Sequence, residues 1–247
     1  MKKVIIGCGY VGYALAKLWQ GEGLTMTTTT LSKVSELKKL GHVTVLNISE
    51  EETLRVVLKD ADCVVVCIAP KDKNYDIYPQ TAKMICRLIP KSAHLIYTSS
   101  SSVYGDQNGN WVNETSKLSG KSHLIKAEAL YLEHPVLTIL RLAGIYGPSR
   151  ELEVFAKRIA GSEQTDSYSN LIFLNDIVRA IDFVYEKSLT GIFNLCSDHH
   201  PKRSELYDPI IKDLNLSSVQ WKPGSTIFGN KRVENKKIKE AGFSFNE

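Results

Sequence analysis

The sequence predicts an α/β protein built on a doubly wound parallel sheet, with a small C-terminal subdomain on the substrate side. Three observations predict it. Short apolar runs alternate with helical patterns through the first hundred residues. Such a β-α-β-α rhythm argues for a parallel sheet with helices on both faces. Cys63–Ile68 is an unbroken apolar run, as expected of a strand covered on both sides. A glycine-rich turn, Gly7 to Gly12, joins the first strand pattern to the first helix pattern.

The elements follow in order. Val4–Ile6 reads as a first buried strand and not as a targeting leader, because Gly7-Cys8-Gly9 interrupts the apolar run at once. Tyr10–Trp19 reads as a helix. Leu24–Thr30 reads as the second strand, since threonine is β-branched and stiff at χ1. Ser32–Leu40 has a helical pattern with Gly41 as its C-cap. His42–Leu46 is the third strand. Glu50–Lys59 is a helix with acids in its first turn, where the dipole favours them. After the Cys63–Ile68 strand come a helix over Tyr75–Leu88, stopped by Pro90, and a fifth strand over His94–Thr98. From Ser99 the pattern loosens into a loop through Gly105–Gly120. A helix over Lys121–Glu133, ended by Pro135, and a strand over Val136–Leu142 follow. Ile177–Tyr185 reads as a helix, Gly191–Leu195 as a strand and Ser204–Leu214 as a helix, before a basic, less regular end. The expected organisation is a dinucleotide-binding domain over 1–147. A substrate-side segment follows over 148–247, interleaved with the last sheet elements at about 170–196.

Composition narrows the function. The chain has 247 residues, 43% of them hydrophobic, enough to bury a sizeable core. Its formal net charge of +4 is too mild for a nucleic-acid partner, which needs a concentrated basic face. The densest basic stretch, Lys231, Arg232, Lys236, Lys237 and Lys239, reads as a solvated helix face. No stretch approaches the ~20 apolar residues of a membrane helix, so no membrane partner and a cytoplasmic location are expected. The five cysteines, Cys8, Cys63, Cys67, Cys86 and Cys196, suit reduced, buried thiols. Cys63 and Cys67 would stand about 13 Å apart on one strand, too far for one zinc. His94, His123, His134, His199 and His200 lack metal-ligand spacing, so no metal site is expected.

Gly7-Cys8-Gly9-Tyr10-Val11-Gly12 is a G-x-G-x-x-G in the strand–turn–helix context that dinucleotide binding requires. This points to a Rossmann-type domain. Gly7 permits the tight turn, Gly9 lets backbone approach a pyrophosphate, and Gly12 lets helix and strand pack closely. The helix N-terminus, with Tyr10 and Val11, offers free N–H groups to the phosphates. NAD proteins usually carry an acid near the end of the second strand; here stand Thr27–Thr30, Leu31, Ser32 and Lys33. Thr28, Thr29 and Lys33 could accept a 2′-phosphate, so NADP is expected ahead of NAD. Asn47, ending the third strand, and Ala69 and Pro70, after the fourth, complete the expected cofactor set. Cys8 reads as a small buried filler.

Further segments carry a resemblance. Thr98–Gly105 is similar to the S-S-x-x-V-Y-G segment of extended short-chain dehydrogenases/reductases, the NAD-dependent epimerase/dehydratase group. Arg141–Pro148 resembles the family's R-x-x-x-x-Y-G-P segment, and Asn170–Ile177 its stretch with an Asp before a helix, here Asp176. Gly191–Leu195 resembles the G-x-x-Y-N strand, and Asn230–Phe243 the lysine-rich tail. The resemblance implies that Ser100 hydrogen-bonds the reacting oxygen. It also implies a Y-x-x-x-K base, and here the chain departs. Lys126 is the lysine candidate, but four residues earlier stands Ser122. A register set by Glu128 puts Gly120 and Leu124 at the two positions instead. Neither holds a tyrosine, which places the chain in the atypical branch of the family. Tyr104, Tyr146 and Glu114 are the substitutes, against a packing role for the two tyrosines. Arg203 could grip a substrate phosphate by a bidentate fork or pair with a surface acid. Tyr146 joins it on the substrate side.

Two functions follow. One is an NAD(P)-dependent epimerase, dehydratase or reductase acting on a small molecule such as a nucleotide sugar or a related carbonyl or alcohol. The other is a catalytically silent NADP(H)-binding sensor or scaffold. The resemblance further implies a homodimer through Tyr75–Leu88 and Lys121–Glu133.

Overall fold

A computed structural model describes residues 1–46, 50–69 and 77–246. In chain order the elements are β1 (Lys3–Ile6), α1 (Tyr10–Leu18), β2 (Leu24–Thr28), α2 (Val34–Leu37), β3 (His42–Val45), α3 (Glu51–Leu58), β4 (Cys63–Val66), α4 (Ile77–Leu88) and β5 (His94–Ser100). Then come β6 (Trp111–Val112), α5 (Ser122–Tyr131), β7 (Leu137–Leu142), β8 (Gly144–Tyr146), α6 (Leu152–Ile159), β9 (Glu163–Thr165), β10 (Leu171–Phe173) and α7 (Leu174–Glu186). The last are β11 (Gly191–Leu195), α8 (Arg203–Asp213), β12 (Gln220–Lys222), β13 (Arg232–Val233) and α9 (Lys236–Glu240).

Seven strands form one sheet in the order β11-β7-β5-β4-β1-β2-β3. The registers of β1 with β2 and β4, of β2 with β3, and of β4 with β5 are parallel. Every residue of β4 is buried, as its apolar run requires. The order reverses at β1 and β4, which is where open α/β sheets place their ligands.

The chain divides into two compact units. The first holds Met1–Ser99, His123–Leu140 and Val178–Ile192, and the second Ser100–Ser122, Arg141–Ile177 and Phe193–Glu247. The core of the first unit packs Val4, Ile6, Val64, Val66, Leu95 and Tyr97 against helix residues such as Leu54, Ile85 and Tyr131. The second unit has a smaller core, where Ala156 of α6 meets Tyr207 and Ile211 of α8. Three parallel two-stranded pairs brace it: β8 with β10, β9 with β12, and β6 with β13.

Several expectations shift. The second strand stops at Thr28, because the Thr28 hydroxyl turns back to accept the Thr30 N–H at 3.0 Å. The helix expected over Ser32–Leu40 is a 3₁₀ turn at Leu31–Lys33 followed by the short α2, capped at Lys38. Gly41 therefore caps nothing. It makes a close approach instead, since a Cβ there would lie 2.7 Å from the Leu24 carbonyl oxygen. The basic tail is not a uniformly solvated face: Lys231 is 3% exposed. Arg232 is packed between two rings, with Trp111 at 4.8 Å and Tyr168 at 4.7 Å. No helix among the described residues is long and apolar enough to cross a membrane.

Candidate functional site

The glycine turn of the first unit is built by β1, α1 and one threonine of β2. Gly7 takes φ +93°, a conformation glycine adopts without strain. Its N–H donates to the Thr27 hydroxyl at 3.0 Å, and the Cys8 N–H donates to the Thr27 carbonyl at 2.9 Å. Thr27 thus pins the turn, a role the sequence reading did not single out. The period-two alternation of β2 was the available signal, since it decides which threonine faces the turn.

Each remaining glycine meets a different surrounding. A Cβ on Gly12 would lie 2.3 Å from the Gly7 carbonyl oxygen, so only glycine lets α1 start this close to the strand. Among the described residues, a Cβ on Gly9 would meet nothing within 4 Å. Gly9 is exposed and is the N-cap of α1, and it brings no side-chain cap. The first four N–H groups of a helix have no intrahelical acceptor. A helix start whose N-cap is a glycine, with space above it among the described residues, is the kind of cradle a diphosphate needs. Residues and group fit: this end of α1 would hold the pyrophosphate of a dinucleotide. Val11 is buried and can serve only through its backbone, while Tyr10 is half-buried.

Around the cradle, Thr29 and Lys33 are exposed, as is Ala69. Thr28 is buried and its hydroxyl oxygen accepts the Thr30 N–H, so of the expected 2′-phosphate partners it is the least exposed. Asn47 and Pro70 lie outside the described residues. Cys8 is buried, and burial pushes its thiol up to about 12, against the pull of Lys33. It is an inert filler, not a reactive thiol.

The candidate catalytic residues fall on different elements. Ser100 ends β5 and caps the 3₁₀ turn Ser101–Tyr104: its oxygen accepts the Ser102 N–H at 3.1 Å and lies 2.5 Å from the Ser102 hydroxyl. Lys126 is exposed on α5, and Ser122 is exposed as its first residue. Leu124, the lysine position of the other register, is buried. Gly120, the tyrosine position of that register, has no room for a side chain: a Cβ would stand 1.8 Å from the Ser102 carbonyl oxygen. Glu128, which sets this register, is buried and accepts the Ser99 hydroxyl at 2.6 Å.

Tyr104 is not poised as a substitute base. It is fully buried; its hydroxyl donates to Asn194 Oδ1 at 2.7 Å and accepts from Arg141 Nη1 at 3.0 Å. Burial raises its pKa above the usual phenol value, with Arg141 and Asn194 opposing. Glu114 is engaged in the same place, its carboxylate taking the Asn194 N–H at 2.8 Å and its carbonyl the Arg141 guanidinium at 3.3 Å. So Tyr104 of V-Y-G, Arg141 of the R-x-x-x-x-Y-G-P segment and Asn194 of the β11 motif close one buried polar knot. Their spacing in sequence reports packing. Asp176 is likewise structural: it is buried and accepts the Asn246 N–H at 3.2 Å. Tyr146 is half-buried against Phe173, ring centroids 5.3 Å apart.

Two of the Arg203 guanidinium nitrogens donate to the Thr165 carbonyl (3.2 Å) and the Gln164 side chain (3.3 Å), and the group lies 5.6 Å from the Trp221 ring. These contacts fasten α8 to β9. A cavity of about 560 Å³ does lie nearby in the second unit, lined by Lys202, Lys222 and Arg232 with Tyr168, Trp221 and Asp166. Three cations and one acid line it, with Lys222 also paired to Glu163.

The sequence profile of the NAD dependent epimerase/dehydratase family matches residues 4–196. The chain belongs to this family. Protein YeeZ of Escherichia coli (strain K12) is 29% identical over 270 aligned positions, covering 99% of this chain and 96% of that protein. Two solved structures of the family's fold superpose over nearly the whole chain. The Bordetella bronchiseptica enzyme WbmH, in complex with NAD+, does so with a TM-score of 0.79 at 18% identity, covering 100% of this chain and 94% of that one. The dTDP-glucose 4,6-dehydratase of Bacillus anthracis, in complex with NAD, gives 0.77 at 17% identity, covering 97% and 90%. At these identities the structures establish the shared Rossmann fold. The family's dependence on a nicotinamide dinucleotide agrees with the cradle at Gly9.

Proposed function

We propose that the chain binds NADP, and NAD less tightly, at Gly7, Gly9 and Gly12, and acts on a nucleotide sugar or a related carbonyl or alcohol. The observation that carries the reading is the start of α1 at Gly9, which has no side-chain cap and, among the described residues, no atom within 4 Å of where a Cβ would stand. NADP is favoured because Thr29 and Lys33 are exposed after β2 and no acid ends that strand. The acid on α2, Glu36, is engaged by the Tyr13 hydroxyl. The cationic cavity of the second unit is the proposed place for the substrate's phosphates. Related proteins are named for sugar-nucleotide substrates, among them a UDP-N-acetylglucosamine 4-epimerase from Bacillus cereus.

In this reading Ser100 donates to the reacting oxygen and Lys126 holds the nicotinamide ribose. The nicotinamide, when bound, supplies or takes the hydride. A general base is worth about 10²–10⁴ in rate, so a chain without the tyrosine turns over slowly. That deficit favours a second reading, a silent NADP(H)-binding sensor, and the blocked position at Gly120 is the observation behind it. Titration with NADPH and NADH, followed by a screen of nucleotide sugars for changes in nicotinamide absorbance, tests both. Turnover that falls at least a hundredfold on Ser100→Ala supports the enzyme. Tight cofactor binding with no turnover on any substrate supports the sensor. No binding of either nucleotide at millimolar levels defeats both.

A further inference from the structure

The end of β4 is held by more than its ladder. The strand stops at Val66, and Ile68 lies two residues beyond it. The Ile68 carbonyl still has a fixed partner: the Tyr78 hydroxyl of α4 donates to it at 3.0 Å. Ile68 also touches the glycine turn. A Cβ built on Gly7 would lie 3.2 Å from Ile68 Cγ1 and 3.1 Å from the Cys67 carbonyl oxygen. Tyr78 therefore holds backbone that packs directly on the first glycine of the cradle.

The helix explains why a tyrosine stands there. Tyr78, Ala82, Ile85 and Cys86 recur at helical spacing, and the last three are buried in the core of the first unit. Tyr78 packs against that core from the first turn of α4, and its ring meets His123 of α5 edge-on, centroids 6.1 Å apart. Behind it stands Tyr97 of β5, in register with Val66. Tyr97 is fully buried and wedged against Tyr131, ring centroids 4.4 Å apart. The two hydroxyl oxygens of Tyr78 and Tyr97 are 2.9 Å apart. Tyr78 has one proton and gives it to Ile68, so Tyr97 donates to Tyr78. Burial pushes the Tyr78 phenol up to about 12, so it keeps that proton through the neutral range. A phenylalanine would pack the same ring. What the hydroxyl adds is the hold on Ile68.

The position of this carbonyl decides what it serves. A doubly wound sheet that takes a dinucleotide has two mononucleotide-binding halves, which meet where the strand order reverses. Here that is at β1 and β4. The turn after β1 and the end of β2 serve the diphosphate and the adenosine half. The end of β4 borders the other half. We propose that Tyr78 is a positioning residue for the nicotinamide half of the cofactor: its hydroxyl, backed by Tyr97, fixes the Ile68 backbone along that half of the crevice. This inference rests on the proposed function and adds to it a residue on a helix that carries none of the glycine signature.

Tyr78→Phe in the full chain tests it, since the ring stays and only the hydroxyl goes. The probes are NADPH and adenosine 2′,5′-bisphosphate, which carries the adenosine half alone; NADH and AMP replace them if the wild type prefers NADH. Calorimetry should show NADPH weakened about three- to tenfold, the worth of one hydrogen bond, and the bisphosphate unchanged within about twofold. Tyr97→Phe removes only the donor behind. It should show the same split at smaller size, and it serves if the first variant fails to fold. Equal losses for both probes mean a merely structural hydroxyl and overturn the inference, as does NADPH binding as tight as in the wild type. A wild type that binds neither probe defeats the functional reading and this inference with it, so the two failures are told apart.

Discussion

Two groups of glycines, one in each compact unit, differ in what occupies the place of the missing side chain. In the first unit, a Cβ on Gly9 would meet no described residue within 4 Å. In the second, a Cβ on Gly105, Gly120 or Gly229 would fall 2.8, 1.8 or 2.0 Å from an atom of a neighbouring loop. The second set lets backbone pack on backbone. Gly9 leaves room for something that is not protein. A glycine reserved for a ligand is one whose vacancy the fold does not fill, and this criterion separates a binding loop from a tight loop where spacing alone does not.

The same contrast runs through the polar residues. Thr27 of the first unit spends its hydrogen bonds shaping a turn whose outer face stays open. Tyr104, Arg141, Asn194 and Glu114 of the second unit spend theirs on one another.

The largest expected effect is on the packed glycine. Gly120→Ala should cost about 2–4 kcal/mol, because its neighbour is a backbone carbonyl that cannot swing away. A urea midpoint unchanged from wild type would show that the loop is loose and would reopen Gly120 as a functional position. Next comes the buried knot. Arg141→Met should cost about 2–3 kcal/mol by stripping a donor from buried Tyr104 and Glu114. It should leave nucleotide affinity within twofold in calorimetry. A selective loss of cofactor binding with full stability would make the knot part of the site.

A smaller effect is acid sensitivity in the first unit. Burial lowers the pKa of His94 and His134 below the usual 6.5, and each ring nitrogen Nε2 has a fixed partner, Thr138 for one and the Ala93 carbonyl for the other. Because the folded values lie below the unfolded one, their contribution is complete above pH 6.5 and is lost as pH falls through the lowered values. Urea midpoints should therefore drop on acidification below about pH 6, and His134→Gln should remove part of that slope. A slope unaltered in the variant would assign the acid response elsewhere. The smallest effect is on cofactor choice. Lys33→Glu should weaken NADPH by about tenfold and leave NADH nearly unchanged, as one exposed charge allows. Equal losses for both would remove Lys33 from the 2′-phosphate site.

The comparison also explains what could be read in advance. β1 and β4 follow from their apolar runs, because strands buried on both faces are apolar throughout. The second unit braces itself with two- and three-residue pairs such as β6 with β13 and β9 with β12. Strands that short carry no period, so β8, β9, β10 and β12 were invisible, as was α6. The glycine turn was legible because its residues are consecutive. Thr27 was not, since its role depends on which face of β2 meets the turn. Lys231 misled because one of the two carbonyls that hold its buried amine, that of Gly105, stands far back along the chain.

The measurement that bears most directly on the reading is the nucleotide affinity of Gly9→Val, taken beside its thermal midpoint. A Cβ there meets nothing within 4 Å among the described residues, so the fold should hold and the midpoint should stay within a few degrees. NADPH affinity should fall at least a hundredfold, because the valine would stand where the diphosphate meets the amides of α1. An intact, stable variant that binds NADPH as tightly as wild type would contradict the assignment of this turn as the cofactor cradle.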